Sequence, residues 1–450
     1  MEPLSQLCVG IFGPYASGKS TLAGHLVYQI CPPDLKQCIE NDFKKVDAVE
    51  NRLKFARIFD TNEAERAAGM THRESHGYIK SQKWNMRVTD LPGNQRYFKN
   101  FMRGIVGINV GVIVVDARTF KDNQQSQMEL KDQLRATFHF GVKKFIFCVN
   151  RMDQVDYSQE IFEQVKDQTK SLCLKLGIKE HGLIWIPTSG WVGDNLVEAS
   201  GNMPWYSGPT LLDALDQIEF SPDKSLIDQP FKMIVKRSMR IPAVGTVFIG
   251  LIISGKVKQG DIIAIEDIKS CFELKQIQLN NENVSEAFAG QIVGMHIRQI
   301  SAKDIIPGYS ISLRDHMNKG LLANQYDRQM QLTATVVILR APNKGIKQRY
   351  RPLLIIHTAR IACEVLEMID LRERLTGELI DRCPSILKAG DAATLKLNVF
   401  HRPQVRWHRT RLSKLLGCTS FKENKTLGTF ILMDKGQIVA VGQVTNVAFL

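Results

Sequence analysis

The stretch GPYASGKS, Gly13 to Ser20, has the residue types and the spacing to hold a triphosphate. In the pattern G-x-x-x-x-G-K-[ST], backbone N–H groups surround the α- and β-phosphates, the lysine ammonium reaches the β- and γ-oxygens, and the hydroxyl ligates Mg2+. Lys19 and Ser20 take those last two roles, with Gly13, Ser17, Gly18 and Thr21 completing the expected phosphate-binding set. Further along, Val88 to Phe98 reads VTDLPGNQRYF. Asp90 closes an apolar run and is expected to hold Mg2+ through water, while Gly93, after the turn, is expected to offer its N–H to the γ-phosphate. Asp-x-Pro-Gly is a common turn in isolation; its place downstream of the phosphate loop gives it this meaning. The next residue, Asn94, is an amide where a hydrolase needs a group that orients or deprotonates water. Asn150, Arg151 and Asp153 in NRMD follow another apolar run, and an aspartate there can accept hydrogen bonds from N1 and N2 of guanine, a pair adenine does not present. TSGW adds Ser189, Gly190 and Trp191. In this order, at the ends of successive apolar runs, the motifs specify a GTP site.

Such residues have to be carried by strand ends and helix starts. From Leu7 to Pro187 the runs LCVGIF, MRVTD, VGVIVVDA, KKFIFCVN and LIWIPTS alternate with longer amphipathic stretches, the signature of a parallel sheet covered by helices on both faces. TLAGHLVYQI, directly after the phosphate loop, has helical spacing. FSPDKSLIDQP, Phe220 to Pro230, reads as a linker. Beyond it the period changes to two, with turns expected at Gly245, Gly250, Gly255 and Gly260, which predicts two all-β barrels. The expected division is an α/β P-loop GTPase domain over 1–223, a first barrel over 228–325 and a second over 329–450, with the barrel boundary near LLANQYDRQ.

At 450 residues the chain is too long for one ordinary core. Its composition, 44% apolar and 23% charged without an uncharged run long enough to span a bilayer, points to a protein that stays off membranes. The start MEPLSQLCVGIF fits neither a signal peptide nor a transit peptide, so a cytoplasmic location is expected. Nine scattered cysteines without a Cys-x-x-Cys pair argue against a disulfide framework or a zinc site, and most are expected to be core thiols. The net charge of +13 attracts polyanions, whether RNA, nucleotides or acidic protein surfaces, and does not choose among them.

Beyond these motifs the chain resembles the eukaryotic elongation factor 1-alpha family of translational GTPases along almost its whole length. The carrying stretches are GHLVYQ, ERAAGMT, TSGWVGDNL, NMPWY and GPTLLDALD, then GTVFIGLIISGKVKQGD and SEAFAGQIVG, then HTARIAC, LKAGDAA and LGTFILMDKGQIVAVGQV. The resemblance implies a GTP/GDP and Mg2+ site on a G domain. By the same resemblance the G domain and the two barrels together are expected to carry aminoacyl-tRNA to the ribosome, and a guanine-nucleotide exchange factor is an implied partner. It also implies that Thr71 is the switch threonine contacting Mg2+ and the γ-phosphate.

The same resemblance exposes departures. The family's histidine after the Asp-x-Pro-Gly turn, which orients the attacking water, is Asn94 here, so GTP hydrolysis is expected to be slow; Gln95 is a candidate partial substitute. The family's N-K-x-D lysine is Arg151, and the two cations bond differently. Ile292 replaces an amide that helps hold the aminoacyl end, while Thr429 and Met433 replace arginines of the nucleic-acid-facing barrel. New basic stretches, Asn343 to Arg351 and His401 to Lys414, carry Tyr350 and Trp407 and suit stacking on bases or docking on an acidic surface. Two readings stay open: a divergent aminoacyl-tRNA carrier, or a scaffold holding an acidic partner such as a cytoskeletal filament.

Overall fold

Gln6–Phe12 (β1) is buried at every position, as an apolar run with parallel neighbours on both sides must be. The structure, a computed structural model, describes residues 6–44, 53–60, 62–221, 223–242, 244–265, 270–316, 330–342, 345–374, 376–400 and 417–449. Five further strands complete the first sheet: β2 (Ser75–Lys80), β3 (Asn85–Asp90), β4 (Val110–Asp116), β5 (Lys144–Asn150) and β6 (Ile184–Pro187). Their order is β2-β3-β1-β4-β5-β6. All pairings are parallel except β2 with β3, which is antiparallel. The expected parallel sheet is present, with β2 added as an antiparallel strand at its edge. SHGYIK buries only Ile79 fully, so no apolar run marks it as a strand.

Alternation along β1 shows why both faces need cover. Leu7, Val9 and Ile11 join one core with Leu22 and Leu26 of α1 (Lys19–Ile30). On the opposite face, Phe12 meets Phe101 edge-on with ring centroids 5.7 Å apart. Five more helices follow: α2 (Pro33–Lys44), α3 (Glu63–Ala68), α4 (Phe98–Gly104), α5 (Gln124–His139) and α6 (Gln159–Lys175), and Leu211–Asp216 forms α7. Their starts are specified locally: the side chains of Asn62, Asn123 and Ser158 cap α3, α5 and α6, and Thr210 with Asp213 forms a capping box on α7.

The chain divides into two compact units, Met1–Ser221 and Pro222–Leu450, next to the expected boundary at 223. The second unit contains both barrels. In the first barrel, β7 (Lys232–Ile241), β8 (Gly245–Ser254), β10 (Ile262–Ile265), β11 (Ser270–Leu279), β14 (Ile292–Ile297) and β15 (Ser310–Leu313) form a ring closed by β10 pairing β11. β9 (Lys256–Lys258), β12 (Glu282–Val284) and β13 (Glu286–Phe288) are accessory strands. Gly250 lies inside β8 rather than in a turn. The second ring comprises β16 (Met330–Ile338), β17 (Leu353–Ile356), β18 (Ala359–Arg372), β20 (Ala392–Val399), β21 (Thr429–Asp434) and β22 (Gln437–Phe449), closed by β17 pairing β18. β19 (Leu379–Arg382) is an appended edge, exposed at all of its positions. The expected barrel boundary near 321–329 lies outside the described residues. Among the described residues no helix is long and apolar enough to cross a membrane. All nine cysteines are free, and Cys8, Cys148, Cys173 and Cys363 are buried; Cys38, Cys271 and Cys383 are exposed, which corrects the expectation that most are core thiols.

The barrels touch where Thr358 Oγ1 donates to the Val235 carbonyl at 2.6 Å. Beside it, His357 is fully buried, and neither ring nitrogen has a hydrogen-bond partner. Burial, reinforced by Lys232, pushes its pKa down to about 3. The unfolded chain therefore binds a proton below about pH 6.5 that the folded chain refuses, so the stability present above that pH is lost as pH falls toward 3. Unfolding free energies of the wild type from urea titrations are expected to fall between pH 7 and pH 5 by up to about 1.4 kcal/mol per pH unit more than those of His357→Gln. Parallel curves for the two proteins would show that His357 is not the titrating group.

Candidate functional site

The phosphate loop joins the end of β1 to the start of α1, and Gly18 is the N-cap residue with φ +88°. A Cβ at Gly18 would stand 2.5 Å from Asn150 Nδ2, so this position admits glycine for both conformation and space. Lys19 is buried and donates to the Pro14 carbonyl at 2.6 Å. Desolvation pulls its pKa below the ordinary lysine range. Gly93 approaches so closely that a Cβ there would lie 2.4 Å from Lys19 Nζ.

Four side-chain oxygen groups converge beside the lysine. Ser20 Oγ donates to Asp90 Oδ2 at 2.6 Å and lies 3.0 Å from Thr71 Oγ1. Thr71 Oγ1 is 3.3 Å from Asp60 Oδ1 and 3.5 Å from Asp90 Oδ2. Asp90 is fully buried, and its Oδ1 has no protein partner. Burial, then the neighbouring Asp60, raises the Asp90 pKa well above the carboxylate range. Burial, then Glu65, raises Asp60 to about 6. Two desolvated carboxylates with two hydroxyls form an oxygen-only donor set, the chemistry that suits a hard divalent cation. These residues therefore fit Mg2+. A cavity of about 190 Å3 opens over the loop, with Ala16, Lys19, Ser20, Thr71, Gly93 and Arg151 in its wall.

Asn94 is half-buried and not in that wall. Its Oδ1 accepts from Arg96 N at 2.9 Å, capping the short turn Gln95–Tyr97. The residues expected around the base form a second network. Asn150 donates through Nδ2 to the Ser17 carbonyl at 2.9 Å and accepts at Oδ1 from Gly190 N at 2.8 Å, which ties the phosphate loop to TSGW. Ser189 Oγ donates to Asp153 Oδ1 at 2.6 Å. Trp191 is exposed, with its ring edge-on to Phe55 at 5.9 Å. Arg151 turns through a left-handed backbone, φ +68°, and its Nη2 donates to the Ala16 carbonyl at 2.7 Å.

Sequence reasoning missed Asp60, and also α5. On α5, Glu129 Oε2 accepts from Tyr15 N at 3.0 Å, and one turn later Gln133 Nε2 donates to the Gly93 carbonyl at 3.1 Å. One helix thus grips both phosphate-side loops. Polar residues on the buried face of an amphipathic helix were the available signal. In the barrels, Ile292 is buried, as are Thr429 and Met433, so these side chains do not face outward as a nucleic-acid surface would require. Tyr350 packs against the second barrel core and donates to Asp434 Oδ2 at 2.9 Å, which corrects its reading as a stacking surface. His401–Lys414, including Trp407, lies outside the described residues, as do Asn343 and Lys344.

Residues 5–221 match the family described as the elongation factor Tu GTP binding domain, and residues 331–445 match the GTP-eEF1A C-terminal domain-like family. Elongation factor 1-alpha of Methanocaldococcus jannaschii is 31% identical over 444 residues, covering 98% of this chain and 97% of that relative. The chain belongs to the elongation factor 1-alpha family. Elongation factor 1-alpha of Tetrahymena pyriformis is 32% identical over 448 residues, covering 97% and 96% of the two chains. Among solved structures, the GTPase-like domain of Saccharomyces cerevisiae Ski7 bound to GTP superposes with a TM-score of 0.72 at 17% identity, covering 98% of this chain and 97% of that one. That likeness speaks to the fold, a G domain followed by two six-stranded antiparallel barrels. The family binds guanine nucleotide and is of the translational GTPase type, and the scaffold reading is not favoured.

Proposed function

We propose that this protein binds GTP and GDP with Mg2+ and carries aminoacyl-tRNA to the ribosome in the cytoplasm, hydrolysing GTP slowly. The observation that carries the reading is the convergence of Lys19 and Ser20, Asp60 and Thr71 from three segments onto one cavity, with Asp90 buried behind its wall and bonded to Ser20 and Thr71. Lys19 exchanges the Pro14 carbonyl for β- and γ-oxygens, and the phosphate-loop amides cradle the rest. The Ser20 and Thr71 hydroxyls, with Asp90 through water and Asp60 beside it, would hold Mg2+, which would supply neutralisation of the phosphate charge. Gly93 offers its N–H to the γ-phosphate, Asp153 reads guanine, and Ser189, Gly190 and Trp191 flank the base. Asn94, lacking an imidazole, orients water poorly. An exchange factor is the partner that a tightly held nucleotide calls for.

Calorimetry with GTP and GDP tests the reading, and heat with neither nucleotide in the presence of Mg2+ would refute it. Chelation of Mg2+ is expected to weaken GTP binding by on the order of tenfold or more, because neutralisation of the phosphate charge is then lost. Equal affinity with and without the metal would remove Ser20, Thr71 and Asp90 from that role. Filter binding tests the carrier assignment, which fails if aminoacyl-tRNA is retained equally with GTP and GDP.

A further inference from the structure

Arg151 does not stand alone at the end of β5. Its Nη1 lies 3.5 Å from Asp116 Oδ2, at the end of β4, while its Nη2 holds the Ala16 carbonyl at 2.7 Å. Asp116 is buried and is itself gripped by Arg118, whose Nε reaches Oδ1 at 3.1 Å and whose Nη2 reaches Oδ2 at 2.8 Å. The Arg118 backbone N also donates to Oδ1 at 3.0 Å. A carboxylate held at so many points cannot swing, and it presents a fixed edge to the Arg151 fork.

On its other side the fork meets a strained part of the phosphate loop. Ala16 has φ +61°, a left-handed backbone that side chains other than glycine adopt reluctantly. A Cβ placed on Gly18 would lie 3.7 Å from Arg151 Nε, so the guanidinium lies along the loop from Ala16 to Gly18. A planar guanidinium delivers a hydrogen bond in a fixed direction only when its plane is fixed, unlike an ammonium, whose donors rotate freely.

We propose that Asp116 is a positioning residue: by fixing the Arg151 guanidinium against the Ala16 carbonyl it holds the phosphate loop in its nucleotide-binding shape and so sets guanine-nucleotide affinity. The proposal rests on the nucleotide-binding reading above. Its strongest consequence is one of sign. Removing a carboxylate near a polyanion site should, by Coulomb attraction alone, tighten nucleotide binding. Loss of positioning does the opposite. Arg118, which is partly exposed, remains solvated when its partner is removed.

The test is a double-mutant cycle on the full chain, with GDP and GTP affinities measured by calorimetry with Mg2+ for the wild type, Asp116→Ala, Arg151→Lys and the double variant. Asp116→Ala is expected to weaken both nucleotides by about tenfold, mainly through faster release. In the Arg151→Lys background the same change is expected to cost less than about twofold, because an ammonium reaches the carbonyl without a fixed plane. Asp116→Asn, which keeps an acceptor for the fork, is expected to fall between the wild type and Asp116→Ala. Unchanged or tighter binding in Asp116→Ala, or an equal loss in both backgrounds, overturns the proposal. Thermal unfolding of each nucleotide-free variant identifies a general folding defect, which would also appear as equal loss in both backgrounds. If the wild type binds neither nucleotide, the functional reading fails instead.

Discussion

Asn94→His is expected to raise ribosome-stimulated GTP hydrolysis by about 10²-fold or more. A well-placed imidazole contributes roughly 10²–10⁴ in rate by general acid–base action, and each tenfold corresponds to about 1.4 kcal/mol of barrier. The asparagine is poorly disposed for that work: its carbonyl oxygen is engaged in capping its own turn through Arg96 N at 2.9 Å, and its remaining donor does not titrate. Replacing the cap should cost about 1 kcal/mol locally, small beside the barrier change. Single-turnover hydrolysis with ribosomes measures the effect, with GTP affinity measured separately to show that the pocket is intact. Two controls sharpen it. Asn94→Gln restores the missing methylene and should fall between the wild type and the histidine variant, whereas Asn94→Ala should match the wild type if the amide contributes nothing. A histidine variant as slow as the wild type would place the water-orienting group elsewhere, with Gln95 the first residue to examine.

Asp153→Ala should abolish guanine selectivity. A carboxylate that accepts from N1 and N2 of the base makes two charge-assisted bonds, each worth about 1.5–3 kcal/mol, so their loss weakens GTP by roughly 10²–10⁴-fold. Ser189 Oγ holds one carboxylate oxygen at 2.6 Å, fixing the side chain for this geometry. Inosine triphosphate keeps N1–H and lacks the N2 amino group, so it provides an internal comparison. The wild type should prefer GTP, and the variant should bind the two alike. Competition against a fluorescent GTP analogue reads both. Retained preference for GTP in Asp153→Ala would move base recognition to another residue.

The parts of the site that were legible in the sequence are those in which backbone shape demands particular residues over a short stretch. Gly18 and Gly93 are written in the motif because a Cβ at either would collide with Asn150 or Lys19. Asp60 was not legible, since its meaning comes from Thr71 and Asp90, which folding brings to it from other segments. Glu129 and Gln133 were hidden for a related reason: their partners are backbone atoms of remote loops, and a main-chain partner leaves no trace in residue type. In the fold, β1 and β4 announced themselves because central strands are apolar throughout, whereas β2 did not, its edge position requiring only Ile79 to be buried. The period-two pattern revealed the barrels, yet it could not say that Tyr350, in a basic stretch, packs against the core of the second.

Among the described residues, ring closure leaves free margins only on strands appended to the barrels, and one of these is β19, which hangs from β18. There Ile380 is 60% and Leu379 45% exposed, a short oily ribbon that could recruit the same ribbon of another molecule. Asp381 and Arg382, also exposed, follow directly, and stacking identical copies in parallel register would bring like charges face to face. Pairing of that kind should therefore depend on ionic strength, with salt promoting self-association by screening the charges that keep parallel copies apart.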